Sequence, residues 1–348
     1  MEVRSSELNG RFGMPANYRR YVMKTVSIII PVKEVNDYIR ESLPYINKLD
    51  YNLSKVEVIV LPDKADKIKG KFRFKLKIIP TGHIYPGEKR DIGIKASKGE
   101  IVAFIDDDVY PQKQWLSRAV EIFVTGKEIG AVGGPAATPP HDSFLKQVSG
   151  LVYSSFMGGG GYRYRYMAEE RRFVDDYPSC NLIIRRDVLK KIGGFNTEFW
   201  PGEDTVICLK IVRDLKLKIV YDPEVFVYHH RRDFPGGHLK QVVNYAAHRG
   251  YFVKRFPETS LRPSYFIPTA FDVYLLSLIY PVFFNMKLLG AWLLPLALYL
   301  ILISVDGIKT KSLKLGLMTM LGIFITHVFY GAYFVKGLLS GKLKEEDK

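Results

Sequence analysis

From Tyr265 to Lys348 the chain carries eight lysines, no arginine and five acids, and these charges leave three stretches almost bare. They are Pro263 to Met286, interrupted only by Asp272, then Leu288 to Val305, and Leu315 to Val335. A membrane-crossing helix needs about 20 mostly apolar residues. The third stretch meets that length cleanly. The first two contain Pro268, Pro281 and Pro295, so a re-entrant or interfacial hairpin is the competing form for that pair. Tyr265, Phe266, Tyr330 and Tyr333 stand near the ends of the stretches, where interfacial aromatic belts form. A helical subdomain buried in protein is the alternative that puts no lipid around them. The expectation is a membrane-anchoring helical region over residues 261–348, with two or three spans.

The rest of the chain is an enzyme-sized soluble part. Of 348 residues 47% are hydrophobic and 25% charged, which excludes disordered and collagen-like classes. The net charge is +15, of which +12 falls on residues 1–264, and that suggests an anionic partner. No recognition helix or aromatic RNA-binding motif accompanies it, so no nucleic acid is expected. Cys180 and Cys208 sit among apolar neighbours and read as buried thiols, with no CxxC or Cys/His cluster for zinc. The N-terminal extension, residues 1–23, is polar and basic without an apolar core, so the first 264 residues are expected in the cytosol, on the inner face of the cell membrane. Lys309, Lys311 and Lys314 then lie inside if there are three spans, as the positive-inside rule asks. The lysine-rich end KLKEEDK would lie outside, a conflict that two spans remove.

Residues 24–260 alternate between strands and helices. Thr25–Ile30 (TVSIII), Val56–Leu61 (VEVIVL), Leu76–Ile79 and Ile101–Ile105 (IVAFI) are expected strands, the longest of them continuous apolar runs as in buried parallel sheets. Helices are expected near Asp37–Asn47, Gly87–Ser97, Gln112–Phe123 and Thr205–Leu215. This order argues for βαβ units in an α/β fold. Ligands of such sheets bind beyond the carboxyl ends of the strands, where Pro31, Asp63 and Asp106-Asp107-Asp108 all fall.

The aspartate triplet is the sharpest chemical signal. Three adjacent carboxylates at a buried strand end are costly without a cation, and Asp106 and Asp108 share a side if strand geometry persists. A divalent ion with phosphate is one reading; a solvated turn capping the next helix is the other. Glu203-Asp204, at the start of an apparent helix, reads as an acid pair able to take a hydroxyl proton, or as N-terminal capping. His229-His230-Arg231-Arg232 supplies imidazoles for a metal and arginines for phosphate, or is a basic strand end. The stretch Gly158–Gly161 followed by Tyr162–Tyr166 (YRYRY) offers tyrosine faces for sugars or a lipid interface and arginines for a pyrophosphate, or is a plain surface loop.

In order and spacing these segments resemble the family 2 glycosyltransferases over about residues 24–255. SIIIPVKE is similar to the family's first strand and donor loop, and GEKRDIGIKASKGEIVAFIDDDVYPQKQWL to its helix, strand and DxD-type segment. GGPAATP follows, then CNLIIRRDVLKKIGGFNTEFWPGEDTVICLKI, similar to the acceptor-side stretch ending in an acidic pair, and DPEVFVYHH, similar to the strand that brings a late histidine. The resemblance implies a GT-A fold, a Rossmann-like mixed α/β sheet typical of nucleotide-diphospho-sugar transferases, followed by the C-terminal transmembrane helices.

It also implies roles. Pro31 and Glu34 would line the nucleotide pocket, Asp63 would contact the base, and Arg90 would approach the donor diphosphate or nucleotide. Asp106 and Asp107 would hold nucleotide and ribose, Asp106 and Asp108 would face the divalent metal (Mg²⁺ or Mn²⁺), and His229 or His230 would complete its ligands. Asp204 would be the catalytic base with Glu203 beside it. The family often has two acids where this chain has Pro62-Asp63, and Asn where it has Asp91, which bears on the nucleotide more than the reaction. A QxxRW motif, found in processive synthases, is missing at Gln241–Tyr245, which points to single addition. The implied activity is inverting transfer from a nucleotide-diphosphate sugar to an acceptor hydroxyl on a lipid-linked or cell-surface glycan. The alternatives are sugar transfer to a polyprenyl phosphate and, from another class, a non-enzymatic membrane-bound nucleotide or anionic-lipid binding module.

Overall fold

The computed structural model describes residues 23–310 and 312–343. The N-terminal extension, apart from Met23, and the last five residues of the lysine-rich end lie outside these. Contacts divide the chain into two units, residues 23–137 with 167–229, and residues 138–166 with 230–343. The expected boundary near residue 260 falls inside the second unit.

The first unit is built on an eight-stranded mixed sheet. Its strands are β1 (Val26–Pro31), β2 (Val56–Leu61), β3 (Lys75–Ile78), β4 (Ile101–Ile105), β6 (Ile129–Gly133), β8 (Arg172–Val174), β9 (Asn181–Arg185) and β10 (Lys218–Tyr221), in the order β3-β2-β1-β4-β9-β6-β10-β8. A small sheet joins β5 (Val109–Pro111), β11 (Val227–His229) and β7 (Ala136–Ala137) in the order β5-β11-β7. β1, β2 and β4 are buried at every position, which is why their sequences run apolar without alternation. The helices of this unit are α1 (Asp37–Ile46), α2 (Pro86–Ala96), α3 (Trp115–Thr125), α5 (Arg186–Ile192) and α6 (Glu203–Leu209).

β3, β2, β1 and β4 are mutually parallel, whereas β9 runs antiparallel between β4 and β6. A purely parallel arrangement from βαβ units therefore holds only for the first half of the sheet. β9 is held by Asn181, whose side chain accepts from Trp115 Nε1 (2.8 Å) and donates to Gly134 O (2.6 Å) and Val225 O (2.8 Å). A buried amide so fully bonded costs little, and it ties three segments to the carboxyl end of β4.

The second unit contains α4 (Phe144–Ser154), α7 (Gly236–Arg255), α8 (Pro263–Ser277), α9 (Ile279–Phe283), α10 (Leu289–Ile308) and α11 (Leu313–Leu339). Three helical segments are long and apolar enough to cross a membrane: Pro263–Phe283, Met286–Ile308 and Leu313–Leu339. Pro268 and Pro295 are accommodated inside α8 and α10, and the first segment breaks between α8 and α9 at Leu278.

The seating of α2 on the sheet depends on Gly93. A Cβ there would come within 2.7 Å of Ile29 Cγ2 and 3.0 Å of Leu61 Cδ1, both fully buried. Gly93→Val is expected to lower stability by about 1–3 kcal/mol, as overpacked cores do. A thermal melt in detergent at or above the wild-type midpoint would show that α2 sits elsewhere.

Candidate active site

The carboxyl ends of β1, β2 and β4 open on one side of the first unit's sheet, and α2 supplies two adjacent cations behind them. Lys89 is 3% exposed; its ammonium donates to Val32 O (2.5 Å), Leu61 O (3.2 Å) and the Asp63 carboxylate. Asp63 also meets His83 Nδ1 at 2.9 Å. The Lys89 hydrogen bond, with His83 adding to it, holds the Asp63 carboxyl below the usual carboxylate range. Asp63 is thereby fixed as an anion just past β2. Pro31 ends β1 opposite Leu61 in the ladder, and Glu34 is exposed in the loop that follows.

Arg90 is 2% exposed and spans two acids that are far apart in sequence. Its Nη2 donates to Asp106 Oδ1 (2.7 Å) and its Nη1 to Glu203 Oε1 (2.9 Å), with the guanidinium 5.4 Å from the Phe195 ring centroid. Burial opposes its charge, but Asp106, Glu203 and Asp204 outweigh burial and push its pKa above the ordinary value. Both terminal nitrogens donate to acids of the protein. Asp91, next along α2, accepts from the backbone of Phe195 (2.8 Å) and Asn196 (2.9 Å) and so pins the loop leading to α6. A carboxylate with two acceptor oxygens suits that task, which accounts for Asp rather than Asn here.

β4 runs straight into the aspartates. Asp106, Asp108 and His229 each offer a ligand atom, and these atoms lie within 4.8 Å of one another. The pairing of β5 with β11 creates this group: Val109 faces His229 in the antiparallel register, so Asp108 arrives beside the imidazole, with Nε2 3.2 Å from Asp108 Oδ1. Asp108 is 4% exposed while Asp106 and His229 are half-buried, leaving one open side. Two carboxylates and one imidazole fit a divalent ion such as Mn²⁺ or Mg²⁺ that takes its remaining ligands from phosphate and water.

Asp107 turns away from that group and accepts from Asn36 Nδ2 at 2.5 Å, while Asn36 Oδ1 caps α1. His230, considered as an alternative ligand, belongs to the second unit, where its Nδ1 lies 2.5 Å from Asp142 Oδ1. β11 ends at His229, and successive side chains on an extended backbone point to opposite sides.

α6 begins at Gly202, whose φ of 124° is a conformation that favours glycine. This turn separates the two acids by environment. Glu203 is 6% exposed and bound to Arg90; Asp204 is half-buried, with Oδ1 accepting from the Thr205 backbone at 2.8 Å. Burial, with the adjacent Asp204 adding to it against Arg90, pushes the Glu203 carboxyl up to about 7. Asp204 is thus the more exposed of the two acids, and Glu203 the one bound to Arg90. Lys89, Asn36 and the Arg90–Glu203 pair were not singled out from sequence. The only local signal was the Lys89-Arg90 doublet on a helix that packs on the sheet.

Residues 27–193 match the model of glycosyl transferase family 2. A curated relative from Methanococcus voltae, dolichyl N-acetyl-alpha-D-glucosaminyl phosphate 3-beta-D-2,3-diacetamido-2,3-dideoxy-beta-D-glucuronosyltransferase, is 24% identical over 92% of this chain and 98% of its own length. Glycosyltransferase AglE of Haloferax volcanii is 28% identical over 60% of this chain and 68% of its own length. Among solved structures, the mannosyltransferase PcManGT from Pyrobaculum calidifontis, in complex with GDP-Man and Mn²⁺, superposes with a TM-score of 0.55 at 17% identity, covering 92% of this chain and 89% of that one. That likeness shows the GT-A fold.

Two measurements follow from the geometry. Mn²⁺ binding, read by calorimetry, should be lost in Asp108→Ala, weakened about 10–100-fold in His229→Ala, and unchanged in His230→Ala. Equal loss in the two histidine variants would contradict the grouping. The raised Glu203 pKa means that the folded state binds this proton more tightly than the unfolded chain between about pH 4.5 and 7. Stability from the neutral acid is present below that window and lost as pH rises through it. Melts of Glu203→Gln should therefore gain on wild type from pH 5 to 7.5; a constant difference would contradict the shift.

Proposed function

The chain carries a family 2 glycosyltransferase domain, and from that premise we propose that it is a metal-dependent, inverting transferase moving a sugar from a nucleoside diphosphate to a hydroxyl of a lipid-linked glycan. The observation that carries this reading is the set Asp106, Asp108 and His229 held by Arg90 to the turn that presents Asp204.

Asp106, Asp108 and His229 would hold the divalent ion, whose charge offsets that developing on the departing nucleoside diphosphate. Asp63 and Lys89 shape the floor for the nucleotide, with Pro31 and Glu34 at the mouth of β1 and Asp107 fixed by Asn36. The acceptor oxygen attacks the anomeric carbon opposite the carbon–phosphate-oxygen bond. Its proton passes to an Asp204 carboxylate oxygen, that bond breaks with its electron pair on the phosphate, and the anomeric configuration inverts. Arg90 acts as a positioning residue: it keeps Asp106 and Glu203 at fixed separation, so Asp204 stays within reach of the same substrate that the aspartates grip.

A lipid-linked acceptor is supported by the three long apolar helices and by the full-length relative whose name describes transfer to a dolichyl-linked sugar phosphate. That name specifies position 3, a hydroxyl, and a hydroxyl acceptor is the kind that needs a base such as Asp204. This favours glycan extension over transfer to a bare polyprenyl phosphate. The helices would anchor the enzyme with its catalytic unit at the cytosolic face.

Release of nucleoside diphosphate from a panel of nucleotide sugars, with Mn²⁺ and a polyprenyl-phosphate-linked sugar, tests the reading. One donor is expected to turn over, with Asp204→Asn slower by about 10²–10⁴-fold and Asp108→Ala losing its metal response. Full activity of Asp204→Asn, or turnover on soluble sugars alone, would contradict it.

A further inference from the structure

Length and composition allow α11 to cross a membrane, but its neighbours constrain how it lies. About 30 Å of hydrocarbon must surround a spanning helix, and the 27 residues of α11 extend about 40 Å. Along nearly all of that length α11 is flanked by α4 and α7, which are not apolar spans. Lys314 lies over the Phe144 ring of α4 at 4.8 Å, and a Cβ on Gly322 would meet Val152 at 2.6 Å. From there α7 takes over. His238 Nε2 meets Thr326 Oγ1 at 2.9 Å, a Cβ on Gly250 would strike Phe334 O at 2.1 Å, and Lys254 Nζ donates to Ser340 O at 2.7 Å. Small residues let the two helices touch backbone to backbone, and Gly337 against Ala247 is the closest such point, at 1.9 Å for an added Cβ.

Lys240, Asn244, Lys254 and Arg255 of α7 are exposed. If α11 crossed the bilayer, α7 would be carried into hydrocarbon alongside it, and charged side chains there are costly. The burial of the three apolar segments differs in the same sense: 33% of the apolar window of Leu313–Leu339 is buried in protein, against 6% and 11% for the other two. Exposed leucines of α11, Leu313, Leu317 and Leu321, recur at i, i+4 and i+8, on the side of the helix away from Gly322, Thr326 and Gly337. α10 runs antiparallel beside α11, with Tyr299 Oη 3.0 Å from His327 Nδ1 and Gly307 packed near Gly316. α8 reaches the same helix through Thr269 Oγ1, which donates to Gly331 O at 3.1 Å.

We propose that α11 lies in the plane of the membrane, at the headgroup boundary of one leaflet, with α7 on its aqueous side. α8, α9 and α10 then lie within that leaflet, α10 along the plane beside α11, and the apolar surface at Phe283, Phe284, Leu294 and Ile301 is covered by its acyl chains. The attachment is monotopic: the turn near Lys287 and the end of α11 never reach the far face. This rests on the membrane attachment proposed above and replaces the two- or three-span forms by a one-leaflet form. Tyr162 and Tyr265, stacked at 5.4 Å, and Arg249, over the Tyr265 ring at 5.2 Å, stand where the chain enters α8, a composition suited to the headgroup layer.

Single-cysteine accessibility in oriented membrane vesicles tests this directly. Cys180 and Cys208 are buried, so the wild-type chain is the unlabelled control. Lys240→Cys marks the side of α7, and Lys287→Cys and Ser340→Cys report on the turn and on the end of α11. With a membrane-impermeant maleimide, positions 240 and 340 should label from the same face, and position 287 should never label from the opposite one. Labelling of 287 or 340 from the face opposite to 240 would overturn the one-leaflet arrangement while leaving membrane attachment intact. Recovery of the unmodified protein in the soluble fraction of washed, detergent-free membranes would instead remove the attachment and the proposal together.

Discussion

A buried guanidinium between two acids holds the candidate active site together. Arg90 joins Asp106, at the end of β4, to Glu203, at the start of α6 and 113 residues beyond Arg90 itself. Taking such charges out of water is costly, and removing one partner leaves an uncompensated buried charge, which is costlier still. The arrangement therefore tolerates little drift: once α2 is seated on the sheet through Gly93, the ends of β4 and α6 are set. Lys89 does the same one residue earlier, drawing the ends of β1 and β2 toward one ammonium. Two adjacent cations on a single helix thus bring three strand ends and a helix start to one place, and the candidate metal ligands and Asp204 inherit their spacing from that convergence.

How much of this the sequence carries depends on whether a signal is local. β1, β2 and β4 are legible because both their faces are buried and their apolar runs are unbroken. β9 is not: its insertion against β4 is antiparallel, and its first residue is an Asn that needs Trp115, Gly134 and Val225 as partners before a strand there makes sense. The aspartate triplet stands out by charge alone, and period-two alternation groups Asp106 with Asp108. The order of strands and motifs adds His229. What singles out His229 over His230 is the β5–β11 register, a contact between segments over 100 residues apart. The same holds for Arg90: nothing near it in sequence says that its partners are acids of the protein.

The apolar tail shows a different limit. Hydropathy measures whether a helix prefers lipid to water, not whether lipid surrounds it. α11 reads from sequence as a span, yet close glycine contacts press it against α4 at Gly322 and against α7 at Gly337. The family resemblance gives the fold and the reaction class, and says nothing of that packing.

The claim on which the rest depends is that Arg90 couples the proposed metal ligands to the turn carrying Asp204. The affinity of Glu203→Gln for Mn²⁺ tests it most directly, because Glu203 does not belong to the group of ligand atoms formed by Asp106, Asp108 and His229. Measured above pH 7, where wild-type Glu203 is ionised, neutralising it leaves the Arg90 charge on Asp106 alone to compete with the ion for that carboxylate, so the affinity should drop while the fold is retained. An affinity equal to that of the wild-type chain would contradict the coupling.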